Sequence, residues 1–212
     1  MSLDTYANLQ TEVASWLRRS DLTSEIQTFI SLAEAEMNDR LRVWPMLAST
    51  PVSVTGASVA YPADFLEAKS IVISATYGPL PYMSPEDYAQ AIASYNGTTA
   101  QPRGFTVIGA NLLFFPAPDQ TYSATLVYYQ KIPALSGSNA SNWVLASHPD
   151  AYLWGALKSS APFLRADDRI PMWDQKFNGS LIGIRRSHSP VKDARLRTDV
   201  PRVRPYFNIQ TG

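Results

Sequence analysis

The sequence predicts an α+β fold: a four-helix unit from N- and C-terminal helical hairpins, an inserted antiparallel β-rich portion, and an extended C-terminal arm. Three observations predict it. Apolar residues recur at three- and four-residue steps over the first 42 residues and again from about residue 147 to 187. Between these stretches lie short β-branched and aromatic runs bounded by glycine and proline. After Ser189-Pro190 no periodicity survives. Each hairpin carries an apolar stripe that needs a partner, so the two should pack on each other. The expected division is residues 1–44 and 143–188 as helical body, 45–142 as β-rich insertion and 189–212 as arm.

The first helix should run from Asp4, as cap, to Arg18, with Tyr6, Leu9, Val13 and Trp16 along one stripe. Ser20-Asp21 breaks it. Asp21 or Thr23 should cap the second, which reaches about Arg42 on the stripe Ile26, Phe29/Ile30, Ala33, Met37 and Leu41. Glu34, Glu36 and Asp39 are expected on other, solvated or intersubunit faces. Strands are expected at Val52–Val54, Ser70–Ile73, Thr106–Ile108, Leu112–Phe115 and Ala124–Tyr129, with Ile108-Gly109-Ala110-Asn111-Leu112 as a hairpin connection. Pro85–Ser94 reads as a helix capped by Ser84, with Pro85 at its first position. The polar stretch Ala134–Asn142 is a loop leading back to helix. Ser147 or His148 should cap a third helix ending near Leu164, and Asp167-Asp168 should begin a fourth along Ile170, Trp173, Phe177, Leu181 and Ile184. Gly179 and Gly183 weaken that helix by about 1 kcal/mol each relative to alanine, so packing must hold it.

Of the 212 residues, 45% are apolar and only 17% charged, enough to fill a core with less charge than usual left for the surface. Formal net charge is zero, but its distribution is uneven. From Arg185 to Arg204, seven Lys/Arg face only Asp193 and Asp199, a local balance of +5, which leaves the first 184 residues at −5. There is no cysteine, which excludes disulfides, thiolate nucleophiles and zinc–thiolate sites. The N-terminus has neither the basic nor the apolar region of a signal peptide, and no apolar run approaches the roughly 20 residues that span a bilayer. A soluble protein made in a cytoplasm is expected.

No catalytic constellation is visible. There is no phosphate loop of the GxxxxGK[ST] type, no GxGxxG turn, no GxSxG elbow and no HExxH. His148 and His188 lie far apart without ligand spacing; His148 reads as a helix-start residue. The adjacent carboxylates Glu86-Asp87 and Asp167-Asp168 fall in first helical turns, where acids favour the positive end of the helix dipole. Trp16, Trp44, Trp143, Trp154 and Trp173 all sit in or beside helices and are expected in the core or in subunit contacts. No enzyme activity, cofactor or metal is expected. The arm is the candidate binding element, with Arg195, Arg197, Arg202 and Arg204 as cations and Tyr206, Phe207 and Ile209 as apolar anchors for a partner protein. An alternative is a DNA-binding accessory that uses the same basic tail.

The chain resembles the phage head-to-tail adaptor (connector) family in an ordered series of segments. Tyr6-Ala7-Asn8-Leu9-Gln10, Trp16 to Leu22, and Ile26 to Asn38 look like that family's N-terminus. Tyr61-Pro62-Ala63-Asp64-Phe65-Leu66-Glu67, Pro116-Ala117-Pro118-Asp119, Tyr128 to Leu135, Asn142 to Leu145 and Pro149 to Leu157 continue the likeness. It covers most of residues 4 to 185, and the basic tail matches in character only. The resemblance implies a homo-oligomeric ring, usually dodecameric, at the head–tail junction of a virion. Such a ring docks under the portal protein, meets a tail nozzle or stopper protein with its β part, and passes genome DNA through its lumen without sequence-specific binding. It also implies that the C-terminal arm reaches the portal. No membrane partner is implied.

Overall fold

The computed structural model describes residues 3–74, 78–164 and 167–188, and it is mixed helix and strand. The helices among them are α1 (Tyr6–Leu17), α2 (Thr23–Arg40), α3 (Pro85–Ser94), α4 (Trp143–Ser147), α5 (Pro149–Leu164) and α6 (Ile170–Ser187). The strands are β1 (Leu47–Val54), β2 (Ser58–Ala60), β3 (Phe65–Ile73), β4 (Gly104–Ile108), β5 (Asn111–Phe115) and β6 (Tyr122–Gln130).

Local hydrogen bonding moves several helix ends from where sequence placed them. Thr5, not Asp4, caps α1 by accepting the Asn8 N–H at 3.2 Å, while the Asp4 carboxylate takes the Asn8 side-chain amide at 2.7 Å. The helix ends at Arg18, which turns left-handed with φ 53°. Neither Asp21 nor Thr23 caps α2. Leu22 holds that position without a side-chain bond, because the Asp21 carboxylate is engaged by Arg19 at 2.6 and 2.7 Å. The third helix is split in two. Asn142 caps the short α4 by accepting the Leu145 N–H at 2.9 Å, His148 leaves helical geometry, and Pro149 opens α5. Asp167–Arg169 form a 3₁₀ turn ahead of α6 rather than its first turn. The expectations at α3 hold: Ser84 accepts the Asp87 N–H at 3.0 Å and Pro85 stands at the first position.

The N- and C-terminal helices share one core although about 100 residues separate them in sequence. Leu9 and Val13 of α1, Ile26, Ile30 and Met37 of α2, Tyr152 and Leu157 of α5, and Phe177 and Leu181 of α6 lie in a single buried cluster. Burying a side chain of this size contributes about 1.5–3 kcal/mol, so the stripes supply the stability that short isolated helices lack. Gly155 fixes the closest approach. A Cβ there would stand 2.7 Å from Ala33 Cβ and 2.9 Å from the Phe177 ring, so α2, α5 and α6 meet where α5 has no side chain.

Two three-stranded antiparallel sheets, ordered β1-β6-β3 and β2-β5-β4, enclose a second core of Val54, Ile71, Ile73, Phe105, Leu112, Phe114 and Leu126. Period-2 burial along β5 and much of β6 matches their alternating sequence. The β4–β5 connection is the two-residue loop Gly109-Ala110 closed by the Ile108–Asn111 pair. Gly109 has φ 61°, and the only non-glycine residue with positive φ among those described is Arg18, so the loop follows the II′ pattern with glycine first. The three-residue β2 carries too short a run to have been read from sequence. The end of β6 joins the two cores, since Tyr128 belongs to the sheet cluster and Tyr129 to the helical one.

Candidate partner-binding region at the end of the helical unit

The arm residues Arg195, Arg197, Arg202, Arg204, Tyr206, Phe207 and Ile209 lie outside the described residues. What the structure shows is the platform from which that segment leaves, and the polar contacts that hold it in shape.

One buried network ties α2 to α4, α5 and the loop before them. The Glu34 carboxylate accepts the Leu135 N–H at 2.8 Å and the Tyr152 hydroxyl at 2.9 Å. Asn142 donates its amide to the Tyr152 oxygen at 2.7 Å and to the Pro133 carbonyl at 2.8 Å, while Asn38 accepts the Ile132 N–H at 2.8 Å. Glu34 is only 7% exposed, against the expectation of a solvated or intersubunit face. The reason is positional: it stands four residues after Ile30 and three before Met37, inside the apolar stripe. Burial pushes its carboxyl above the usual range, more than the two hydrogen bonds pull it down. Burial and the neighbouring Glu34 charge likewise push the Tyr152 hydroxyl far up, so it stays a donor.

A second, half-exposed circuit clips three helices together. Lys158 of α5 reaches Glu36 of α2 at 2.8 Å and Asp174 of α6 at 2.9 Å, and lies 5.3 Å from the Phe177 ring centre. Asp174 accepts from the Asn178 amide at 2.8 Å, Asn178 accepts from Arg40 at 2.6 Å, and Arg40 returns to Glu36 at 2.8 Å. Burial alone would raise the Glu36 carboxyl, but hydrogen bonds from Lys158 and Arg40 bring it below its ordinary value. Asp39, in the same acidic stretch, takes no part in this circuit.

Four rings gather where α6 ends. His188 sits 5.6 Å from Trp44, 5.5 Å from Trp143 and 5.2 Å from His148, and its carbonyl accepts the Trp44 N–H at 3.4 Å. Sequence spacing gives no sign that the two histidines meet, because the α5–α6 reversal that unites them leaves no local signal. Desolvation and the facing His188 lower the His148 pKa. Of the tryptophans, Trp173 is buried, Trp143 and Trp154 pack partly against the core, and Trp16 and Trp44 stay 44% and 56% exposed. Arg185 donates to the Arg40 carbonyl, and Arg42 joins α2 to β3 through Glu67 at 3.0 Å.

Among the described residues no group of three or more His, Asp or Glu side chains is placed to hold a metal ion, and no helix is long and apolar enough to cross a membrane. Their charged and aromatic groups join elements to one another and line a surface. The chain belongs to the SU10 adaptor protein family, which it matches over residues 4–203. It is therefore a structural phage adaptor, from a family not known for enzymes, with its place in the virion. No curated protein matches the chain.

Proposed function

We infer that the protein forms the ring joining portal to tail at the head–tail junction. Residues 1–44 and 143–188 make the ring body, 45–142 face a nozzle or stopper protein of the tail, and 189–212 reach the portal. The observation that carries this reading is the family match, which runs 16 residues beyond α6, from 188 to 203, into the basic segment. The ring is dodecameric in this reading, and genome DNA passes through its lumen. A formal net charge of zero suits a channel, because a strongly basic lumen would retain the genome.

An extended arm gains affinity from backbone pairing and a few side-chain anchors, against an ordering cost of about 1–2 kcal/mol per residue. One arm alone binds weakly, whereas a ring of arms attaches durably through effective concentration. Arg195, Arg197, Arg202 and Arg204 meet acidic or carbonyl-lined grooves on the portal, and Tyr206, Phe207 and Ile209 fill apolar pockets. The test is co-sedimentation with DNA-free portal rings. Deleting residues 195–212 should abolish attachment while leaving thermal stability nearly unchanged. Equal retention of the truncated protein would refute the arm. Steeply salt-sensitive DNA binding lost on the same deletion would favour a DNA-binding packaging accessory instead.

A further inference from the structure

An open groove runs along α5 and α6 up to the point where the chain leaves α6. It encloses about 570 Å³ and is lined by His148, Asp150, Trp154, Gln175, Lys176, Gly179, Ser180 and Gly183. Nothing lies within 4 Å of a Cβ placed on Gly179 or Gly183, so these glycines leave bare helix backbone as its floor. Glycine is the least favourable helix residue after proline, and here no close neighbour within the described chain requires it. The groove also opens beside the chain exit, since the His148 ring on its wall is 5.2 Å from that of His188, the last described residue of this stretch.

We propose that the groove is the seat of this chain's own segment Val191–Ala194, which folds back along α6 and fixes the root of the arm. Ser189-Pro190 supplies the reversal, because proline cannot continue the helix and keeps the residue before it extended. An extended residue advances about 3.3 Å and a helical one about 1.5 Å, so each residue of the returning segment passes about two of α6. Starting from a turn at 189–190, Lys192 comes level with Gly183, Asp193 with Ser180 and Ala194 with Gly179. Successive side chains of an extended segment point to opposite faces, so Lys192 and Ala194 face the groove and Asp193 faces away. Lys192 is then within side-chain reach of Asp150, which accepts from Ser180. Ala194 places a methyl group over the open Gly179 floor. The segment lies within the span matched to the family. The inference concerns only the root; it stands or falls independently of what the distal residues bind.

Hydrogen exchange on the full chain tests it. Amides of 191–194 should exchange at least tenfold more slowly than those of 203–209. Gly179→Leu, whose Cβ meets nothing within 4 Å among the described residues and whose side chain occupies the groove, should abolish that protection. Lys192→Asp should weaken it, and Lys192→Asp with Asp150→Lys should restore it. Exchange as fast as in the distal tail, or protection indifferent to Gly179→Leu, would overturn the proposal. Because the chain has no cysteine, the double variant Gly179→Cys, Ala194→Cys reports whose segment fills the groove. A disulfide within one chain is the expected product. A disulfide between chains would overturn the assignment and make the groove an interface between copies.

Discussion

Glu34 holds a position that carboxylates seldom occupy, on the core face of α2 with Leu135 N–H and the Tyr152 hydroxyl as donors. Glu34→Ala should cost about 1–3 kcal/mol, since it leaves the Leu135 amide without its buried acceptor. Glu34→Gln keeps an acceptor oxygen and removes the charge. The folded-state pKa of Glu34 is raised above its ordinary 4.5, so its favourable contribution is complete below that pH and is lost as pH rises through the folded value. The glutamine variant should therefore be at least as stable as wild type at pH 7, with its advantage shrinking toward pH 4. Thermal melts of the three proteins across that range decide it; a glutamine variant as damaged as the alanine variant would show that the charge itself is required. Glu34 was legible only in part. Its spacing from Ile30 and Met37 puts it on the stripe, but nothing local announces that the partners are Tyr152 and the backbone of Leu135.

At the scale of elements, α5 is the helix on which the others converge. It faces α2 and α6 across Gly155 and joins both through Lys158. Gly155→Ala should destabilise by about 1–3 kcal/mol despite the better helix propensity of alanine, because Ala33 and the Phe177 ring leave no room for the methyl group. In a chain ending at residue 188, where no returning segment covers it, Gly179→Ala should instead stabilise by up to about 1 kcal/mol, since its Cβ meets nothing within 4 Å among the described residues. Denaturant midpoints of the pair separate the two environments, and equal shifts would contradict the packing. Lys158→Ala should cost about 1–2 kcal/mol by leaving two carboxylates without their shared cation. The partners Glu36 and Asp174 both have carboxyls held below their ordinary 4.5 and 3.8. Their contribution is present above those values and fades as pH falls through the lowered ones. The gap between Lys158→Ala and wild type should accordingly be widest near neutral pH and close in acid. The helices and most strands were readable because their periodicity is strong. The break at His148, the short α4 and the β2 strand were not, since each is set by one cap, one bend or one short pairing.

For the molecule as a whole, the reading rests on an acidic body, a basic terminal segment and family membership over 200 of 212 residues. The two hairpins find one another across the β-rich span because each has an apolar stripe that only the other covers, and that much follows from periodicity. The cluster of His148, His188, Trp44 and Trp143, and the groove beside it, arise from chain reversals that place distant residues together, which no local pattern encodes. The ring is a property of many copies and so reaches beyond a single chain. Electron microscopy of the purified protein, alone and mixed with DNA-free portal rings, addresses it directly. Closed rings seated coaxially on one face of the portal, with an open central channel, are the predicted result. Monomers that never assemble on the portal, or copies bound singly around its rim, would contradict it.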